Sequence, residues 1–465
     1  MKKVTALFFI VLMVMTMYLG TAQAAPAYDG KVEPYAVMLL DANSGDVLYE
    51  KNADEIVEPA STTKIMTLLL ALEKGDMESV VTVSSNAAKQ RGSLLHISSG
   101  EEIVFKDLIN GMMLASGNDA AVAVAEVLGG SEEGFADMMN DKARDLGMTN
   151  TNFVVSHGMH VDNHHTTARD MALLTLYAMQ NPDFAQIVGQ TTYTMPADNK
   201  HSEAWVVTNT NKLLLPTDID KNNKYYYKYA TGIKTGSTPA AGDCLVSSAS
   251  KDGVNLICLV FKDEYNGSER WPLSKSMFEF GFDNFKTLDI QSIIDGTDPV
   301  SVNVQGAAPG SESLSLNIVN TGKAYQTFEL ELASQVDAGL TTQIVLNSGE
   351  SLTAPVTEGE TVGVINYLTG SGEMICQGKL IASQAVALAD SVPAQPSQTA
   401  GTEQTDNQTP VPTDKDDGIG LIGWILIAVG AALAVILAIL VVMAIQRKKR
   451  YARRRRAVSR KRVRR

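Results

Sequence analysis

From Gly418 to Ile445 the chain carries no charged residue, and Arg447-Lys448-Lys449-Arg450 follows at once. An apolar run of that length covers a hydrocarbon layer of about 30 Å with some tilt, so residues 418–445 are expected to form a transmembrane helix. Basic residues beside a span stay on the cytoplasmic side, which assigns 446–465 to a basic cytoplasmic tail and the preceding chain to the outside of the cell membrane. The other end agrees. Lys2 and Lys3 precede an apolar stretch from Ala6 to Gly20, and Ala22-Gln23-Ala24 offers a small-residue cleavage site. Residues 1–24 therefore read as a secretory signal peptide.

These segments divide the charge sharply. All 52 acidic residues lie between the two apolar runs, whereas Lys2, Lys3 and thirteen basic residues after Gln446 lie outside them. The middle keeps 24 basic residues against 52 acidic ones, a net charge of −28. So acidic a surface excludes nucleic acid as a natural partner, and it makes any lysine in a cleft conspicuous. The basic tail is better read as a topology signal that touches anionic lipid. Three cysteines, Cys244, Cys258 and Cys376, do not make a disulfide framework.

The exported region shows a change of texture along its length. Residues 35–41 and 47–49 read as a hairpin around Asn43-Ser44-Gly45-Asp46, and an apolar run from Ser61 to Leu72 reads as a helix. Helical stretches continue to Met179, and strands return at 232–235, 244–248 and 256–261. Terminal strands around a helical middle predict an α/β (α+β) domain over 25–288, an antiparallel sheet with helices packed on it. Over 292–390 short apolar runs alternate with Gly-, Asn- and Ser-rich turns, and Thr327–Leu332 alternates strictly, which predicts a separate small all-β domain. Residues 391–417 are rich in Pro, Gln, Thr, Ser and Asp and bury nothing, the pattern of a disordered linker.

Three short motifs carry chemistry. Ser61-Thr62-Thr63-Lys64 puts a hydroxyl and an amine on one face of a helix start, where a lysine of lowered pKa can serve a serine as base. Ser116-Gly117-Asn118 falls between two helical stretches, where a turn would aim a hydroxyl and an amide into a cleft. Lys234-Thr235-Gly236-Ser237 lies in a strand whose glycine lets a ligand approach and whose lysine and threonine can hold a carboxylate. Each motif alone also describes an ordinary cap, loop or strand end. In this order and spacing they form the set found in penicillin-binding proteins and class A β-lactamases.

The match extends beyond the motifs. Residues 41–52, Pro59–Thr67, Ser116–Ala121, Thr167–Ala172 and Gly232–Gly236 resemble the low-molecular-weight penicillin-binding proteins of the serine-type D-alanyl-D-alanine carboxypeptidase family, and 352–388 more loosely resembles that family's C-terminal β domain. The resemblance implies a penicillin-binding/transpeptidase-like fold and an enzyme that removes the terminal D-alanine from peptidoglycan stem peptides and is acylated by β-lactams. It implies Ser61 as nucleophile, Lys64 as its base and Ser116 in proton relay. Asn118, Lys234, Thr235, Gly236 and Ser237 would bind substrate, with the backbone N–H groups of Ser61 and Ser237 as the oxyanion hole.

No cofactor or metal is implied. His157, His160, His164 and His165 could suggest a metal cluster, but they fall in a loop block of the same resemblance. Two departures stand out: Ser237 occupies a position that is often histidine, and a full span replaces the usual amphipathic anchor. A β-lactamase of the same fold is disfavoured, because no Glu-x-x-x-Asn element for deacylation occurs between Asn118 and Lys234. A wall-binding module with a degenerate site would have lost Ser61 or Lys64, and both are present.

The membrane reading has a direct check. Protease added to spheroplasts is expected to cut within 391–417 and release the exported region as a soluble fragment. Release of the uncut protein by salt or alkali would show that 418–445 does not span.

Overall fold

The computed structural model describes residues 26–389. The expected signal peptide, transmembrane helix and basic tail, together with the linker at 391–417, lie outside the described residues. Among the described residues no helix is long and apolar enough to cross a membrane.

The first domain is organised by a five-stranded antiparallel sheet in the order Val47–Lys51, Ala36–Asp41, Val254–Asp263, Gly242–Lys251, Ala230–Thr238. All six residues of Ala36–Asp41 are buried, because both faces of the sheet are covered. Successive side chains point to opposite faces. Met38 and Leu40 accordingly join Val246, Ile257 and Leu259 under the helices of the middle of the chain. Val37 and Leu39 join Leu245, Leu256, Cys258 and Val260 beneath the Arg270–Asn284 helix, which contributes Trp271, Met277 and Phe278. This is the expected antiparallel sheet with helices packed on it, with a helix layer on each face.

The helical layer is assembled around Lys64–Lys74, whose residues from Lys64 to Ala71 are all buried. Phe105–Ala115 and Asn118–Gly129 pack beside it, joined by a single tight connection at Ser116-Gly117. Ser116 takes a left-handed conformation (φ 61°) at the end of the first of these helices, which lets the chain reverse within two residues.

The second domain holds a six-stranded sheet in the order Thr341–Leu346, Thr361–Leu368, Met374–Ala382, Ser313–Asn320, Val300–Gln305, Leu352–Thr353, antiparallel except for the last pair. It is not purely β. Ile290–Asp295 and Leu330–Asp337 are helices, so the predicted strand at Thr327–Leu332 ends early: the strand is Tyr325–Glu329 and a helix follows. Leu332, Ala333 and Val336 fall on one side of that helix and pack on the second core. Six residues of alternation could not exclude this helical spacing.

The two domains meet at the turn of the first hairpin. Asp41 is fully buried, and its Oδ1 accepts the backbone N–H groups of Asn43 (2.9 Å) and Ser44 (2.8 Å). Its Oδ2 accepts the hydroxyl of Thr287 at 2.5 Å. Asp46 accepts the backbone N–H of Thr327 at 2.8 Å and pairs with Lys323 at 2.6 Å. Replacing Asp41 by Ala strips buried donors of their acceptor, which costs about 1–3 kcal/mol. At about 2–4 °C per kcal/mol for a domain of this size, the thermal midpoint of Asp41→Ala is expected to fall by roughly 2–12 °C. An unchanged midpoint would show that the turn does not depend on this carboxylate.

Candidate active site

The three motifs converge. Ser61 sits in a short 3-10 turn, Ala60–Thr63, that runs straight into the Lys64–Lys74 helix. Serine and lysine are therefore one turn apart on the same side, and Lys64 Nζ lies 3.2 Å from Ser61 Oγ. Two further acceptors hold the amine: it donates to Asn118 Oδ1 at 2.8 Å and to the backbone carbonyl of His157 at 2.8 Å. A neutral amine has two N–H donors and one lone pair. With both donors engaged by Asn118 and His157, the lone pair is left for the hydroxyl of Ser61.

The electrostatics favour that neutral form. Lys64 is fully buried. Burial first, then the charge of Lys234, hold its pKa well below the ordinary lysine value, against a smaller opposing pull from Asp119. His157 adds no charge, because burial, and after it the charge of Lys64, pushes its pKa down to about 3. The ring's Nδ1 accepts the N–H of Met159 at 3.1 Å, and its Nε2 faces Glu132 at 3.5 Å.

Asn118 is fixed from both ends. Its side-chain amide donates to the carbonyl of Arg91 at 2.6 Å, and its backbone N–H to that of Ser93 at 2.8 Å. Ser116 is buried in the same turn, two residues away. The segment opposite is held by Asp119, whose carboxylate accepts the backbone N–H groups of Leu95 (2.8 Å), His96 (2.8 Å) and Ile97 (3.2 Å).

The third motif lies on Ala230–Thr238, an edge strand of the sheet. An edge presents unpaired backbone groups to which an extended peptide can add. Gly236 brings this strand against the backbone of the serine. A Cβ there would stand 3.0 Å from the carbonyl of Pro59 and 3.2 Å from the N of Ser61. Gly158 has a similar role below the serine, with φ +85° and only 1.9 Å between a built Cβ and the carbonyl of Ala60.

Lys234 is buried, and burial pushes its pKa down to about 7. Thr235 Oγ1 is 2.7 Å from Thr210 Oγ1. The hydroxyl of Ser237 donates to Asp243 at 2.6 Å, and Arg270 pairs with the other oxygen of Asp243 at 2.9 Å.

Of the residues that sequence reasoning named, Ser61, Lys64 and Asn118 are in direct contact, Lys234 is near enough for its charge to act on Lys64, and Gly236 lies against the Ser61 backbone, with Ser116, Thr235 and Ser237 one or two positions along the chain from these. Sequence reasoning did not single out Asp119, the His157 carbonyl, Thr210 or the Asp243–Arg270 pair. A backbone carbonyl carries no sequence signal at all. The four clustered histidines go to separate partners: His157 faces Glu132, His160 contacts Glu58, His164 contacts Thr63 and His165 contacts the Asn163 carbonyl.

Residues 21–265 match the profile of the D-alanyl-D-alanine carboxypeptidase peptidase family. The chain is 36% identical over 260 residues to the D-alanyl-D-alanine carboxypeptidase DacF of Bacillus subtilis, covering 55% of this chain and 64% of that protein. It is 31% identical over 374 residues to the D-alanyl-D-alanine carboxypeptidase DacC of Escherichia coli, covering 78% of this chain and 85% of that one. Among solved structures, penicillin binding protein 5 of Haemophilus influenzae superposes with a TM-score of 0.61 at 27% identity, covering 78% of this chain and 100% of that one.

The burial of Lys64 makes a pH prediction. Acylation needs the neutral amine, and protonation removes it, so the rate of acylation by a penicillin is expected to fall toward acid, about tenfold per pH unit once Lys64 is mostly protonated. The midpoint should lie well below the ordinary lysine value of about 10.4. An acylation rate that is flat across the acid range would exclude Lys64 as the base.

Proposed function

The chain belongs to the serine-type D-alanyl-D-alanine carboxypeptidase family, and we propose that it removes the terminal D-alanine from peptidoglycan stem peptides through an acyl-enzyme on Ser61. The observation that carries this assignment is the buried Lys64 amine, held by two acceptors at 2.8 Å and 3.2 Å from Ser61 Oγ.

Ser61 Oγ attacks the carbonyl carbon of the penultimate D-alanine, and its proton passes to Lys64 Nζ. The C–N bond breaks, and the departing amine takes a proton relayed through Lys64 and Ser116. Water then adds to the ester with the same base, releasing the shortened peptide and restoring the serine. Backbone N–H groups of Ser61 and Ser237 stabilise the oxyanion. β-Lactams follow the first half of this path, but their leaving nitrogen stays tethered to the acyl group.

Lys234 and Thr235 hold the terminal carboxylate, and Asn118 holds the peptide group. A bound carboxylate favours the ammonium form of Lys234, offsetting the burial that holds its pKa at about 7. It also overcomes the repulsion expected from an exported region of net charge −28. On this reading the catalytic domain faces outward, anchored by a single transmembrane helix at 418–445. The uncharged run and the basic residues after it support that topology.

Two variants in one mass-spectrometric assay of pentapeptide turnover test the assignment. Ser61→Ala is expected to abolish both D-alanine release and penicillin labelling, and covalent labelling at another serine would refute the nucleophile. Lys234→Gln loses a charge-assisted hydrogen bond worth about 1.5–3 kcal/mol. Catalytic efficiency should then fall roughly ten- to a hundredfold or more, since about 1.4 kcal/mol is tenfold. The loss should shrink for a peptide with an amidated C-terminus, and equal losses for acid and amide would rule out carboxylate recognition by Lys234.

A further inference from the structure

Away from these residues, Glu101, Asp198 and His201 converge from two distant segments of the chain. Glu101 lies in the turn leading into the Glu102–Val104 strand and is fully buried. Asp198 and His201 lie in the connection between the Thr192–Met195 and Trp205–Thr208 strands. Backbone groups aim each of the carboxylates. Ser98 N–H donates to Glu101 Oε2 at 2.6 Å, and the N–H groups of Lys200 and His201 donate to Asp198 Oδ1 at 2.7 and 2.8 Å. Asn199 locks the two segments together, accepting the N–H of Glu102 and donating to the carbonyl of Gly100, both at 2.9 Å.

What remains points inward. Glu101, Asp198 and His201 each turn one ligand atom toward the others, all within 4.8 Å. Glu101 Oε1 and His201 Nδ1 are both buried and make no well-aligned hydrogen bond, although they face each other at 3.2 Å. A buried carboxylate oxygen aimed at a second carboxylate is costly unless a proton or a cation stands between them, and a bound metal ion would take the proton's place. The spacing says which kind. His201 Nδ1 is 3.2 Å from Glu101 Oε1 and 3.4 Å from Asp198 Oδ2. Ligand atoms bound tetrahedrally at about 2.0–2.1 Å lie roughly 3.3–3.4 Å apart, the edge of a zinc tetrahedron. One imidazole and two carboxylates, each already oriented by hydrogen bonds to its second atom or its backbone, form a donor set suited to such an ion.

We propose that Glu101, Asp198 and His201 bind one divalent transition ion of the zinc class as a structural clamp, with water in the fourth position. The clamp would join two walls of the cleft. The Trp205–Thr208 strand leads directly to Thr210, which touches Thr235. The turn carrying Glu101 continues the segment that Asp119 holds beside Asn118. The ion therefore touches no reacting atom and braces the residues that do.

The test uses the full-length chain purified without a polyhistidine tag, stripped with a chelator and titrated with zinc chloride by calorimetry. The indole of Trp205 lies 4.3 Å from the His201 ring, so its fluorescence reports occupancy independently of activity. Saturable binding of one zinc is expected, with a fluorescence change and a thermal midpoint that rises with zinc. Glu101→Gln, Asp198→Asn and His201→Ala, checked for folding by circular dichroism, should each weaken binding at least tenfold, and His165→Ala should leave it intact. Absence of saturable binding to the wild-type chain would overturn the proposal, as would zinc binding that persists unweakened in folded Glu101→Gln or Asp198→Asn, which would place the ion elsewhere.

Discussion

Much of this structure serves the burial of one amine. Lys64 is removed from water by the helical layer around it, and that removal is far costlier for an ammonium ion than for a hydrogen-bonded neutral amine. On the proposed mechanism the fold thereby exchanges stability for a base that is ready at the serine. The arrangement works only because both remaining donors of the amine are satisfied. Asn118 and the His157 carbonyl come from segments 54 and 93 residues away from Lys64, so the site cannot form before the tertiary fold does.

The sheet and the helices supply different components of that environment. The helix start sets the distance between Ser61 and Lys64, a local matter of one turn. The edge strand brings Gly236 against the backbone of Ser61, a non-local matter of sheet order. Three backbone N–H groups converging on Asp119 hold the segment opposite Asn118, so the cost of a buried charge is offset by the loop it shapes. Lys64 hydrogen-bonds the Ser61 hydroxyl, and the others constrain where that hydroxyl can be.

The second domain is coupled to the first through polar contacts at one hairpin turn and through the antiparallel pairing of Phe285–Asp289 with Tyr325–Glu329. Asp41 shapes the turn from within, and Asp46 presents it to Lys323 and Thr327. The same turn closes the first hairpin of the central sheet, so the joint is built on the sheet that carries the Lys234–Ser237 motif.

Short-range physics was legible in the sequence. Apolar periodicity marked the helix after Ser61, glycine-containing turns marked the hairpins, and i to i+3 spacing put serine and lysine on one face. Motif order then carried all eight proposed site residues into one reading. Residues 325–337 show the limit: alternation and helical spacing coincide over so few residues that only packing of Ala333 and Val336 on the second core decided for a helix. The sequence was equally silent on the His157 carbonyl, because a backbone acceptor looks the same at every position, and on Glu101, Asp198 and His201, whose 100-residue separation hides a spacing of a few ångströms. Local preference and pattern are written in neighbouring residues. Which buried groups face one another is decided only when distant segments pack, since the free-energy cost of an unpaired buried group exists only after water has been excluded.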